Sequence, residues 1–196
     1  MIVVLASKSP RRTQLLGMLG IPHRASPSEA PEDALPGESP RSQVLRLARD
    51  KATAVAAREP EAGLVVGADT LVVLGDAVLG QPRDREEAAA MLRRLSGETH
   101  TVFTGLFLLA RGGRRAEGLS ESQVSFRPLT EEEIDWYIST GEPMDKAGAY
   151  AAQGTGAVFI RAIRGSFHNV VGFPVDLFYD LLPQVGLSLA DLRDGS

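Results

Sequence analysis

The chain has 196 residues, 43% of them hydrophobic, and a formal net charge of -4 at pH 7, which is enough apolar content for a buried core in one domain or one domain with two lobes. No run of about 18 uncharged apolar residues occurs and the first residues pass directly into a polar turn, so neither a membrane span nor a signal peptide is expected, and mild acidity, with a pI near 5.4, argues against the broad basic surface that stable nucleic-acid binding needs. Zero cysteines exclude disulfides and thiolate metal sites and fit a reducing, cytoplasmic setting.

Residues 2–6, IVVLA, read as a buried strand. A turn follows, then a helix with Ser9 as N-cap, Pro10 at its first position, Leu15, Leu16 and Leu19 on one face, and Gly20 at its end. Residues 21–39 are rich in Pro, Ser and Glu and are expected to form a loop, long enough to suggest a functional one. A second helix is expected from Ser39-Pro40 to about Ala57, with Val44, Leu47, Ala48, Ala52 and Val55 as its apolar stripe. Lys51 falls on that stripe, whereas Arg46, Arg49 and Arg58 fall mostly on the outer side.

The segment GLVVGADTLVVLGDAVLG predicts two strands closed by a turn at Gly75-Asp76. Asp84 with Glu87 predicts a capped helix through Leu95. Strands are expected over 101–110 and about 117–127, then a helix through Ser139 opened by the capping pair Thr130 and Glu133. The last third is expected to hold a short helical or turn segment near Lys146, a strand around 157–163, a glycine-bounded loop, a helix from Pro174 and a frayed tail of ten residues. Strand-helix steps combined with hairpins indicate an α/β fold on a mixed sheet.

Three cations, Lys8, Arg11 and Arg12, lie within five residues at the first strand-to-helix junction. A helix N-terminus presents unpaired N–H groups and the positive end of its dipole, so it attracts anions. Arginines in that first turn are disfavoured by roughly 0.3 to 1 kcal/mol each, a cost that a bound phosphate would offset. Ser7 and Ser9 add hydroxyl donors. A solvent-exposed basic turn is the alternative, and the spacing of a P-loop is absent.

Asp69 interrupts an apolar strand, where an ionised carboxylate needs a partner or a metal. Lys51 on its apolar stripe has the complementary need, although lysines also snorkel from such faces. The chain has only three lysines, Lys8, Lys51 and Lys146, against eighteen arginines. Glu32 sits among Glu29, Asp33 and Glu38 in the long loop, and Lys146 and Gln153 flank a glycine-rich segment, DKAGAYAAQGTG; each is a ligand contact or a solvated loop residue. His23, His100 and His168 lack zinc spacing and read as structural. Cations for phosphates together with carboxylates for a hard metal suit Mg²⁺ or Mn²⁺ and a phosphate-rich substrate.

Six segments in order, LASKSPRR, LARDKA, VVGADTLVVL, MLRRLSGETHTVFTG, GEPMDKAGAYAAQG and GSFHNVVGFPV, resemble the Maf family of nucleoside triphosphate pyrophosphatases. The resemblance implies a fold similar to that of inosine triphosphate pyrophosphatases, with an elongated mixed sheet, flanking helices and two lobes around a cleft, in a single Maf-like domain over 1–196. It implies hydrolysis of a nucleoside triphosphate between the α and β phosphates with a divalent metal, and a homodimer. By position, Asp69 matches the proton acceptor, Glu32 and Lys51 match further catalytic positions, and Ser7, Arg11 and Arg12 match the phosphate-binding loop; in the mechanism this implies, Ser9 joins them in holding phosphates, and Glu32 with Asp69 would hold the metal or a water. SPRR, Thr70 and Gln153 are similar to the subgroup acting on dTTP and UTP, modified pyrimidine nucleotides included, rather than to the 7-methyl-GTP subgroup. One departure is Gln81, which stands where the family usually has lysine and replaces an ammonium with a neutral amide; Lys146 is a further expected substrate contact. The competing reading is a non-catalytic nucleotide-binding regulator linked to septum formation or cell-division arrest.

Overall fold

The computed structural model describes residues 1–193. The elements run β1 (Val3–Leu5), α1 (Pro10–Met18), β2 (His23–Ala25), α2 (Pro40–Ala56), β3 (Leu64–Leu74), β4 (Ala77–Leu79), α3 (Arg85–Leu95), β5 (Thr99–Ala110), β6 (Arg115–Phe126), α4 (Glu131–Ser139), β7 (Ile160–Arg164), α5 (Phe167–Val171), α6 (Val175–Leu181) and α7 (Leu189–Arg193), with short 3-10 turns between. Among the described residues the strands form one seven-stranded sheet in the order β2-β1-β3-β5-β6-β7, with β4 paired to β3. β1 is parallel to β2 and β3, whereas β3-β4 and β6-β7 are antiparallel. The sheet is therefore mixed, as the alternation of helical crossovers and hairpins predicts.

The polypeptide divides into two compact units, one of residues 1–69, 104–120 and 172–193, the other of 70–103 and 121–171. The strands β3, β5 and β6 each run through both. In the first unit, Val4 of β1, Ala6 just beyond it, Val65 of β3, Phe107 of β5 and Ala48, Ala52 and Val55 of α2 form one apolar cluster. Two glycines set its thickness. A Cβ on Gly67 would lie 2.0 Å from the Ala48 carbonyl oxygen, and one on Gly105 2.4 Å from that of Val44, so the backbone of α2 rests directly on β3 and β5 where no larger residue fits.

In the second unit His100, Phe126, Tyr150, Phe159 and Tyr137 form a chain of edge-on and tilted ring contacts. The capping pair of α4 forms as expected, with Thr130 and Glu133 bonding reciprocally. Asp84 caps α3 through the Glu87 N–H, but the Glu87 carboxylate accepts from the Arg83 N–H instead of returning to Asp84.

Four expectations are corrected. The 21–39 loop contains β2, an edge strand whose residues lack apolar alternation and are ordered by pairing with β1. The expected glycine-bounded loop contains α5, which is too short to show a period. The expected tail contains α7, anchored by buried Leu192 and opened by Ser188 and Asp191, whose side chains and N–H groups bond reciprocally; this S-x-x-D cap was visible in the sequence. Residues 194–196 of that tail lie outside the described residues. Ser9 occupies the N-cap position of α1 but makes no side-chain cap bond; its backbone N–H donates to Ser7 Oγ at 3.2 Å.

Candidate functional site

The first unit gathers the charges that looked isolated in sequence. Gly67 and Asp69 lie two apart on β3 and so share a face, and Lys51 lies three residues beyond Ala48 on α2, on the side of the helix that touches that face. The close approach at Gly67 therefore delivers Lys51 to Asp69. Lys51 Nζ donates to Asp69 Oδ1 at 2.7 Å, with Asp69 6% and Lys51 7% exposed. The same ammonium stands 2.8 Å from Glu32 Oε1, whose side chain is 60% exposed. One buried cation thus bridges two carboxylates, one inside and one at the surface.

A second cation lies close by. Ser7, buried at the end of β1, accepts from Arg12 Nη1 at 3.0 Å, and Arg12 Nε donates to the Gly172 carbonyl at 2.8 Å. Those bonds fix the guanidinium in the first turn of α1. Burial pushes the Asp69 carboxyl above its ordinary value, opposed by the charges of Lys51 and Arg12. Burial likewise lowers the Arg12 pKa, with the Asp69 charge opposing it. Arg11 and Ser9 in the same turn are half-buried, and Lys8 is exposed.

The second unit carries Thr70, Gln81, Lys146 and Gln153. Gln81 Nε2 donates to the Asp145 carbonyl at 3.2 Å, and the Gly148 N–H donates to the Gly80 carbonyl at 3.0 Å. The neutral amide therefore ties the end of β4 to the Lys146 segment. Lys146 Nζ donates to the Glu142 carbonyl at 2.8 Å and pairs with the Asp145 carboxylate. Gln153 is exposed in a segment held from beneath: Glu142 accepts from the N–H groups of Thr155 and Gly156 at 2.9 and 3.0 Å and from Tyr137 Oη at 2.9 Å. Tyr137 Oη accepts in turn from the Ala151 N–H. Burial works to raise the Glu142 pKa, and these donors outweigh it, so its net shift is downward. Sequence reasoning missed Glu142 and Tyr137; the available signal was Gly154, where a Cβ would lie 2.8 Å from both Glu142 carboxylate oxygens.

Among the described residues no three His, Asp or Glu side chains converge as a metal cage. Glu32 and Asp69 each place one oxygen on the Lys51 ammonium, which fills the point where they converge. Two carboxylates suit a Mg²⁺-like ion, which typically takes one or two carboxylates and completes its shell with phosphate oxygens and water. None of the three histidines takes part. A cavity of about 860 Å³ at the opposite end of β1, lined by Ile2, His23, Arg111 and Arg114 among others, contains no candidate site residue.

The Maf family, described as Maf-like protein, matches residues 2–185. A dTTP/UTP pyrophosphatase of Anaeromyxobacter dehalogenans strain 2CP-C is 48% identical over 190 residues, covering 95% of each chain. One from Symbiobacterium thermophilum is 49% identical over 184 residues, covering 94% of each. Among solved structures, a HAM1 protein from Coxiella burnetii has a TM-score of 0.40 at 12% identity, covering 76% of this chain and 86% of that one; at that score no residue correspondence follows.

Proposed function

This chain belongs to the Maf family, and from that premise we propose that it hydrolyses dTTP and UTP between the α and β phosphates, releasing the nucleoside monophosphate and pyrophosphate. The observation that carries the reading is the buried Lys51 bridge between Asp69 and Glu32, with Arg12 held beside it by Ser7. A structural ion pair has no need of a third, exposed carboxylate on the same ammonium. A phosphoanhydride site does need a basic carboxylate and fixed positive charge where oxyanions develop.

In this reading Ser7, Ser9, Arg11 and Arg12 grip phosphate oxygens, aided by the N-terminus of α1. Water attacks the α phosphorus, the pyrophosphate oxygen leaves, and Asp69 Oδ takes the proton of the attacking water. The raised pKa of Asp69 suits that task, since a carboxylate of ordinary basicity holds a proton less well at neutral pH. Lys51 keeps Asp69 ionised and oriented while its charge offsets that developing on the phosphates. A divalent ion, Mg²⁺ or Mn²⁺, held by Glu32 and Asp69 would supply charge neutralisation of the triphosphate and acidify bound water. Thr70, Gln81, Lys146 and Gln153 are the substrate contacts of the second unit. The whole chain acts as one catalytic domain, a reading supported by the three strands that both units share.

The cellular setting in this reading is cytoplasmic, the working form a homodimer, and nucleic acid is not a partner. The absence of cysteine supports the first and the net charge of -4 the last. Among the described residues no helix is long and apolar enough to cross a membrane.

One observation favours the regulatory alternative: Gln81, neutral where the family carries an ammonium, donates to a backbone carbonyl. The deciding experiment incubates the protein and Asp69→Asn with Mg²⁺ or Mn²⁺ and dTTP, UTP, CTP, GTP or 7-methyl-GTP, and identifies products by phosphorus NMR. Pyrophosphate with dTMP or UMP, lost in the variant, is the expected result. Bound but intact nucleotides would overturn the catalytic reading and leave the sensor.

A further inference from the structure

The loop that carries Glu32 has no helix or strand of its own between residues 26 and 39. Glu32 nevertheless stands within ion-pair distance of a buried lysine. An ion pair to so exposed a carboxylate contributes too little to order a fourteen-residue segment. Arg46, on the outer side of α2, ties the segment at two points. Its Nε and Nη2 donate to the two Glu38 carboxylate oxygens at 2.7 Å each. Nη2 also donates to the Asp33 carbonyl at 3.0 Å, and Nη1 reaches Asp50 at 3.4 Å.

The pair is largely withdrawn from water, with side-chain exposures of 22% for Arg46 and 9% for Glu38. Glu38 is itself locked in place. Leu35 to Glu38 form a turn with Pro36 and Gly37 at its centre, closed by the Glu38 N–H to Leu35 carbonyl bond, Gly37 having φ of 73°. The Leu35 N–H then donates to Glu38 Oε2 at 3.2 Å. At the loop's other end Arg58 Nη2 donates to the Pro27 carbonyl at 2.7 Å. Asp33 directly follows Glu32, so the guanidinium that grips Glu38 also holds the backbone one residue beyond Glu32, at the Asp33 carbonyl.

We propose that Arg46 is a positioning residue for hydrolysis: by bridging the Glu38 carboxylate and the Asp33 carbonyl it sets the distance of Glu32 from Lys51 and Asp69. The proposal rests on the reading of Glu32 as a member of the reacting group. Only a planar fork makes these bonds at once, so lysine is a poor substitute.

The test compares Arg46→Met, Arg46→Lys, Glu32→Gln and the double variant Arg46→Met/Glu32→Gln, using the nucleotide hydrolysed fastest in the panel above. Arg46→Met is expected to lower kcat by about tenfold to a hundredfold with little change in KM. Arg46→Lys should restore little of it, and Arg46→Met should cause no further loss in the Glu32→Gln background. Hydrogen exchange over residues 28–38 should accelerate in Arg46→Met, a readout independent of turnover. Should Arg46→Met fold poorly, Glu38→Gln should reproduce both effects from the loop side. Unchanged kcat and exchange in Arg46→Met, or an equal loss in both backgrounds, would overturn the positioning role. Wild-type turnover in Glu32→Gln would instead overturn the role of Glu32 and the proposal with it.

Discussion

Replacing Lys51 with methionine tests the centre of the site, because it keeps the stem and removes only the charge. The ammonium lies 2.7 Å from Asp69 and 2.8 Å from Glu32. Removing one partner of a buried pair costs about 3 to 5 kcal/mol, since the other charge stays desolvated. Two features of this site reduce that figure. Glu32 is mostly in water and loses little, and the Arg12 charge still acts on Asp69. A net loss of about 2 to 4 kcal/mol is expected, equivalent to a urea midpoint lower by roughly 1 to 2 M at a slope of about 2 kcal/mol/M. Adding Asp69→Asn to the same chain removes the stranded charge and should recover at least half of the stability while turnover stays lost. Urea melts followed by circular dichroism, with turnover measured on the same samples, read both. A Lys51→Met protein within about 0.5 kcal/mol of wild type, or no recovery on adding Asp69→Asn, would refute the account of a mutually dependent buried pair.

Gly67→Ala adds one methyl group where only 2.0 Å separates the new Cβ from the Ala48 oxygen. Reaching ordinary contact near 3.4 Å requires α2 and β3 to part by more than 1 Å, so a loss of about 1 to 3 kcal/mol is expected. Turnover should fall as well, because Lys51 moves with its helix; an active, fully stable variant would contradict the packing argument. His100, buried and bonded to Tyr150 Oη at 2.8 Å, is pushed down by burial from 6.5 to about 4. It is neutral in the folded protein, and the unfolded chain takes up its proton first as pH falls. Its contribution is therefore complete above pH 6.5 and is lost progressively towards pH 4, amounting to about 3 kcal/mol. His100→Gln should flatten the stability profile over that window, and an unchanged slope between wild type and variant would remove His100 as its source.

Much of the architecture was legible because it is written locally. Pro10 and Gly20 bracket α1, the apolar stripe of α2 includes the lysine that does not belong in it, and Thr130 with Glu133 announces α4. Each signal is either a cap at a helix end or a stripe with the helical period, so a short window of sequence carries it. The same patterns marked Asp69 and Lys51 as charges in apolar settings, each in need of a partner.

Which partner each one takes is a property of the tertiary structure. Lys51 and Asp69 are 18 residues apart on different elements, and their meeting depends on α2 lying directly against Gly67, a glycine whose extended backbone gives no turn signal. The strand β2 is ordered by its neighbour rather than by its own side chains, and Glu142 acts on N–H groups more than ten residues away. The loop bearing Glu32 reads as polar and irregular, yet Arg46 on the outer face of α2 holds it in place. Sequence thus determined the longer elements and the charges that had to be neutralised, since propensity and periodicity act over a few residues. The fold decided the pairings, since register, close backbone approach and long-range hydrogen bonds exist only once distant segments are packed together.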